Sequence, residues 1–258
     1  MDIATVSIVS LSAIFLSTVA GSSLVFLFRN GMGKRMSSVA MGFAGGVMIA
    51  ASFFGLIMPS VESAGSIIDM IPSAIGFLLG GALMWMLDIT VPHIHGYSGT
   101  EEGAVSNIDR RTKLFLAVTL HNIPEGLSVG FACGLAMSIG SEEAMYAALS
   151  LAAGIAIQNL PEGAAVSMMM LSNGMGRIRA FVFGSLSGIV EPLFGIIGMA
   201  LSFAASTSPL LLAFAAGAMI YITLDEIIPE AMKEGLEHIG MWAFMVGFVM
   251  MMLLETRI

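Results

Sequence analysis

Eight apolar segments, each long enough to cross a lipid bilayer, constrain the fold of this chain more than any other feature. A membrane-spanning helix needs about 20 mainly apolar residues. Backbone polar groups in hydrocarbon must be paired within the segment, so these spans are predicted to be helical. The predicted spans are residues 4–28, 37–59, 68–91, 113–137, 143–171, 178–204, 208–232 and 239–256. We therefore predict an all-α polytopic membrane protein of eight transmembrane helices, with residues 1–258 forming a single transmembrane domain.

The composition agrees with a chain whose solvent is lipid. Its residues are 57% apolar and only 11% charged, whereas an average soluble domain carries about 25% charge. The sequence pI of about 4.9 argues against nucleic acid as a partner. Cys133 is the single cysteine, which excludes an internal disulfide and a cysteine-based zinc finger. The apolar N-terminus lacks a basic region and is predicted to be a retained first span.

The basic residues predict the orientation of the bundle. Nine of the ten lysines and arginines fall in the loops between spans 1–2, 3–4, 5–6 and 7–8, and the tenth is Arg257. Loops rich in lysine and arginine stay in the cytoplasm. We expect a multi-pass protein of the plasma or bacterial inner membrane, with both termini on the extracytoplasmic side.

Two related motifs interrupt the apolar sequence of spans 4 and 5. Residues 121–126 read HNIPEG and residues 158–163 read QNLPEG. Successive helical residues turn by about 100°, so Glu125 lies between His121 and Asn122 on its helix. Glu162 lies in the same way between Gln158 and Asn159. Two such helices facing one another would define two adjacent metal positions bridged by the glutamates.

Three carboxylates lie inside spans that contain no lysine or arginine at the same depth: Glu125, Glu162 and Glu191. An ionised side chain at the bilayer centre costs at least about 2.5 kcal/mol. These groups must therefore face the interior and be neutralised by a cation or by protons. Imidazole suits zinc and its neighbours, whereas carboxylate and amide oxygens suit harder divalent ions.

The prolines of the two motifs indicate an irregular helix at the same depth. Pro124 and Pro161 lack an N–H, so the carbonyl groups of Leu120 and Ile157 lose their helical donors. We expect each helix to kink there, with the freed carbonyls available to a passing cation. Broken helices in repeated membrane segments point to a transport site.

At these residues the sequence resembles the ZIP (Zrt/Irt-like) family of divalent metal transporters, and most closely its bacterial GufA-like branch. HNIPEG resembles the fourth-helix motif of the family, QNLPEG the fifth, and SGIVEPLFGIIG the sixth helix. The resemblance implies a bundle in which helices 1–3 and 6–8 form an inverted repeat around helices 4 and 5. It also implies transport of metal into the cytoplasm and a homodimer.

The resemblance further implies a binuclear metal site. One position would use His121, Glu125, Gln158, Glu162 and a thioether from the second helix, placed at Met48. The other would use Asn122, Glu125, Asn159, Glu162 and Glu191. Many family members have histidine where Gln158 stands, and some have aspartate where Asn159 stands. Both differences remove basicity or charge, so the second position is expected to bind metal more weakly or for shorter times.

A metal exit path on the cytoplasmic side is also implied by the resemblance. It would consist of Asp88, His93, His95, Asp225 and Glu226. The alternative is that these are solvated groups at helix ends.

Zinc is the expected substrate, and Fe²⁺, Mn²⁺, Co²⁺ and Cd²⁺ are alternatives, with no organic cofactor. A channel-like facilitator of the same ions is an alternative hypothesis. An intramembrane metalloprotease is disfavoured because the sequence has no HExxH motif. A proton-conducting protein would explain the carboxylates but not the amides and histidine at ligand spacing.

Overall fold

A computed structural model describes residues 2–28, 32–62, 64–94, 100–202 and 208–255. Eight long helical segments follow one another along the chain, as the sequence predicts. They are α1 Ile3–Phe26, α2 Lys34–Glu62, α3 Ile68–Thr90, α4 Arg110–Ile139, α5 Glu142–Ser172, α6 Arg177–Leu201, α7 Ser208–Ala231 and α8 Glu237–Glu255. The predicted all-α polytopic fold is confirmed.

Seven of these helices are long and apolar enough to cross a membrane. The eighth, α4, has 30 residues, which is ample length at a rise of about 1.5 Å per residue. It carries His121, Asn122 and Glu125 in its first half, and these polar groups lower its hydropathy. The one long helix whose hydropathy is too low to mark it as a membrane span is thus the helix that contains the first motif.

The packing of the helices follows a twofold pattern. The four most extensive pairs are α1 with α5, α4 with α6, α2 with α8, and α3 with α7. Exchanging helices 1–3 with helices 6–8, and α4 with α5, converts each pair into another of the four. The helix pairs therefore show the inverted repeat that the sequence resemblance implies.

Four Phe-x-x-Gly segments make the close contacts of the α2–α8 and α3–α7 pairs. A Cβ added to any of the four glycines would collide with the carbonyl oxygen of a phenylalanine on the partner helix. The glycine–phenylalanine contacts are Gly46 with Phe244, Gly247 with Phe43, Gly80 with Phe214, and Gly217 with Phe77. Small residues allow membrane helices to approach closely, and here they do so in two equivalent pairs.

Adjacent glycines in α3 provide a test of this packing. A Cβ at Gly80 would collide with the Phe214 carbonyl and lie 2.9 Å from the amide nitrogen of Ala218, whereas one at Gly81 would lie 3.9 Å from the Gly217 carbonyl. Gly80→Ala is expected to destabilise the protein by about 1–3 kcal/mol through overpacking. Thermal unfolding in detergent would measure this. Gly81→Ala is the control and should unfold at or above the wild-type temperature, since alanine favours a helix; equal destabilisation by both would contradict the packing.

The irregular helix segments lie in α2, α6 and α7 and not at the motif prolines. α4 and α5 continue through Pro124 and Pro161 without a break. α2 and α7, which the repeat relates, contain π-helical turns at Ala51–Ile57 and Thr223–Ile227. π-Turns inside helices are frequent at functional sites. α6 is divided between Ser187 and Val190.

The loop between α3 and α4 contains two short strands, β1 His93–Ile94 and β2 Glu101–Glu102. They pair in antiparallel register, with His93 opposite Glu102. Ile94 is fully buried, and Lys113 at the start of α4 forms an ion pair with Glu101 at 2.6 Å. The hairpin therefore lies against the end of the bundle, an arrangement that hydropathy alone does not predict.

Candidate metal site

The two motifs meet in the middle of the bundle. Gln158 Nε2 donates a hydrogen bond of 2.7 Å to Glu125 Oε1, which joins α5 to α4. Asn159 Nδ2 donates one of 2.8 Å to Glu191 Oε2, which joins α5 to α6. Glu125, Gln158 and Glu191 have no solvent-exposed area. Helices that are consecutive in the sequence thus place the polar side chains of three spans in one buried cluster.

Five oxygen atoms of this cluster are buried and have no hydrogen-bond donor among the described residues. They are Asn122 Oδ1, Glu125 Oε2, Gln158 Oε1, Asn159 Oδ1 and Glu162 Oε1. A buried acceptor without a partner costs about 1–3 kcal/mol. Carboxylate and amide oxygens are also the ligands of divalent cations. The cluster therefore fits a cation as its missing partner.

The side-chain amides of Asn122, Gln158 and Asn159 are oriented so that their NH2 groups donate hydrogen bonds and their oxygens receive none from the described residues. Asn122 Nδ2 donates to the Ser187 carbonyl at 3.0 Å, at the point where α6 is interrupted. Asn159 Nδ2 donates both to Glu191 and to the Ile14 carbonyl of α1, the latter at 3.2 Å. Because each NH2 group already has an acceptor, each carbonyl oxygen is available as a ligand.

His121 connects the cluster to α7. Its Nε2 lies 3.5 Å from Glu226 Oε1, and the His121 side chain is 13% exposed. Glu226 belongs to the π-turn of α7 and was predicted from the sequence only for the exit path. The structure thus brings a fourth helix to the edge of the site.

Met48 lies fully buried in α2, one turn before the π-turn. Its Sδ is 3.7 Å from Thr223 Oγ1 of α7. Thr223 in turn opens the π-turn of α7. The placement of Met48 as a ligand stays a prediction, since its observed hydrogen-bond contact is with α7.

The predicted exit residues form a continuous polar chain from His121. Glu226 Oε1 lies 3.9 Å from His93 Nε2, and that nitrogen lies 3.0 Å from Asp88 Oδ1. Asp225 lines the same small cavity as these side chains. His95 lies outside the described residues. Four of the five predicted exit residues are thus placed together.

Glu102 was missed by the sequence interpretation. One ligand atom each of Asp88, His93 and Glu102 lie within 4.8 Å of one another, a group that could hold a metal ion. Glu102 reaches His93 only because β1 and β2 pair. The eight residues between His93 and Glu102 in the sequence carry no periodicity that would have predicted this pairing.

A cavity of about 220 Å³ leads from the cluster to the end of the bundle. His121 and Glu162 line its inner part, and Lys34 and Lys233 at the ends of α2 and α7 line its outer part. Ile94 of the hairpin also lines it. The buried site is therefore connected to the surface on the side that carries the basic loops.

A bundle of eight membrane-crossing helices, with buried carboxylates and amides in its centre and a polar path to one end, defines a multi-pass membrane transporter of cations. Residues 110–255, more than half of the chain, match the model of the ZIP zinc transporter family. The chain belongs to the ZIP family. This confirms the family predicted from the two motifs, and with it the prediction of a transport protein and not an enzyme.

Similar proteins cover nearly all of the chain. Human zinc transporter ZIP11 is 34% identical over 93% of both chains. Zinc transporter ZIPB of Bordetella bronchiseptica is 35% identical over 95% of this chain and 78% of its own length. Zinc transporter GufA of Myxococcus xanthus is 31% identical over 92% of each chain.

Proposed function

We propose that this protein transports Zn²⁺ through the buried cluster between α4, α5 and α6. The observation that carries the proposal is the set of five buried oxygens that have no donor within the described part of the chain and that belong to both motifs. The names of the similar proteins, all zinc transporters, support zinc as the substrate. Fe²⁺, Mn²⁺, Co²⁺ and Cd²⁺ are the competing substrates to be compared with it.

The cluster offers two metal positions that share Glu125 and Glu162. The first comprises His121, Glu125, Gln158, Glu162 and Met48, and the second comprises Asn122, Glu125, Asn159, Glu162 and Glu191. The two inter-helix hydrogen bonds support this division, since Gln158 contacts Glu125 and Asn159 contacts Glu191. A divalent cation in each position would supply the positive charge that the middle of the spans lacks.

Transport is proposed to run towards the cytoplasm. The basic loops support the placement of both termini outside, and the cavity reaches the end of the bundle where Lys34 and Lys233 lie. Glu226, His93, Asp88 and Asp225 would pass the ion from His121 to that end, with His95 as a further member. The assembly is proposed to be a homodimer, on the family resemblance.

The proposal is tested by metal uptake into liposomes that contain the purified protein. Internal fluorescent indicators for Zn²⁺ and for pH would be followed while Zn²⁺, Fe²⁺, Mn²⁺, Co²⁺ or Cd²⁺ is added outside. We expect saturable zinc uptake above that of protein-free liposomes. Acidification without entry of any of the metals would contradict the proposal and favour a proton-conducting protein.

Glu226 provides the test of the exit path. Because Glu226 lies between His121 and His93, we expect Glu226→Gln to slow metal release without removing a ligand of the binuclear site. The expected result is a fall of about tenfold in the maximal uptake rate with a KM changed less than about twofold. Glu234→Gln, an exposed glutamate beyond the end of α7, is the control and should behave as wild type. An unchanged maximal rate in Glu226→Gln would contradict the exit path.

A further inference from the structure

Thr18 of α1 contacts the cluster although α1 carries none of the predicted ligands. Its side chain is 2% exposed, and Thr18 Oγ1 lies 3.1 Å from Glu191 Oε1. The other oxygen of Glu191 accepts the hydrogen bond of 2.8 Å from Asn159 Nδ2. Glu191 is thus held at both carboxylate oxygens by donors from two other helices.

The Thr18 hydroxyl has two acceptors in reach but only one proton to donate. The carbonyl oxygen of Ile14, one turn earlier in α1, lies 3.3 Å from Oγ1, farther than the carboxylate. Hydrogen bonds to a carboxylate are also about twice as strong as those to a neutral carbonyl. Both the distance and the charge favour donation to Glu191.

The twofold pattern relates Thr18 to Glu191. A Cβ at Gly126, in the first motif, would collide with the Glu191 carbonyl, and a Cβ at Gly163, in the second, would collide with the Thr18 carbonyl. The two residues therefore occupy equivalent positions on α6 and α1, the helices that pair with α4 and α5. Where one half of the repeat has a carboxylate, the other half has a hydroxyl that donates to it.

The break in α6 makes room for the Thr18 side chain. A Cβ at Gly188 would lie 2.8 Å from Cβ and Cγ2 of Thr18 and 3.0 Å from its Oγ1. Gly188 lies in the break, two residues before Val190, where the segment of α6 that contains Glu191 begins. The hydroxyl, the glycine and the carboxylate therefore form one local arrangement and not a chance contact.

We propose that Thr18 is a positioning residue for the second metal position, because it holds one oxygen of Glu191 while the other faces Asn159. This inference rests on the proposed binuclear site. Partners that orient metal ligands are worth about 10–100-fold in metal affinity. The second position is thereby assigned a determinant on α1, outside the three motif-bearing helices.

The test measures Zn²⁺ binding by equilibrium dialysis of the purified full-length chain in nanodiscs. All variants carry His121→Ala, which disables the first position, so that the remaining high-affinity binding reports on the second. Thr18→Val has the same shape without the hydroxyl and is expected to weaken this binding about 10–100-fold. Thr18→Ser keeps the hydroxyl and is expected to restore it to within about threefold of the Thr18 parent.

Ser22→Ala is the matched structural control. Ser22 lies one turn beyond Thr18, is equally buried, and donates to the Gly163 carbonyl of α5 at 3.1 Å instead of to a ligand. We expect Ser22→Ala and Thr18→Val to lower the unfolding temperature similarly, with zinc binding weakened only in Thr18→Val. Equal weakening in both variants would reduce Thr18 to a packing role and overturn the proposal.

Glu191→Gln separates failure of this inference from failure of the site. If Glu191→Gln abolishes the second position and Thr18→Val binds as its parent does, the positioning role is overturned and the proposed site stands. If Glu191→Gln also binds as its parent does, Glu191 is not a ligand, and both the positioning role and the assignment of the second position are overturned.

Discussion

Replacing Glu125 and Glu162 together by glutamine is expected to reduce zinc uptake by more than about 100-fold, to the level of protein-free liposomes. Both proposed metal positions share these two carboxylates, so the double variant removes the bridging ligands of each. Loss of an outer partner alone costs about 10–100-fold in metal affinity, and loss of two bridging ligands should cost more. Uptake into liposomes, together with a zinc-binding titration of the same samples, measures the effect.

The control is the double variant Glu142→Gln/Glu143→Gln. It also removes two charges, both from α5, the helix that carries Glu162, but at exposed positions in its first turn. Uptake by this control should stay within about twofold of wild type, since surface substitutions change little. If Glu125→Gln/Glu162→Gln transports zinc as this control does, the two carboxylates are not on the pathway.

Gln158→His is expected to bind zinc at least about tenfold more tightly, which corresponds to about 1.4 kcal/mol. Imidazole nitrogen suits zinc better than an amide oxygen does. The substitution also removes the donor that Gln158 directs at Glu125 Oε1, so that oxygen becomes available to the ion. We expect slower turnover as a consequence, because a more tightly held ion leaves more slowly. Equilibrium dialysis and initial uptake rates would measure the two effects.

Gln158→Leu distinguishes the two possible causes of tighter zinc binding, which are the added imidazole and the release of Glu125 Oε1. It removes the same hydrogen bond to Glu125 without supplying a nitrogen ligand, and it is expected to bind zinc more weakly than wild type. Equal tightening in Gln158→His and Gln158→Leu would show that release of Glu125, and not the imidazole, governs affinity. In that case Gln158 would not be a ligand of the first position.

The local features of this protein could be predicted from its sequence. The eight helices follow from apolar length, because a lipid environment leaves helices as the structure in which each span pairs its own backbone. The spacing of His121, Asn122 and Glu125 places them on one side of α4, since helical periodicity acts over a few residues. The irregular segments were less predictable: the prolines indicated kinks in α4 and α5, whereas the π-turns and the break lie in α2, α7 and α6.

The sequence by itself determined the membrane class, the number of spans and the polar faces of α4 and α5, because each depends on residues a few positions apart. Only the tertiary structure decided that Thr18 meets Glu191, that Glu226 meets His121 and that Glu102 meets His93. Thr18 and Glu191 are 173 residues apart in the chain. The first two contacts depend on which helices pack together and at what depth, and small residues between helices allow that close packing. The third depends on the pairing of β1 with β2.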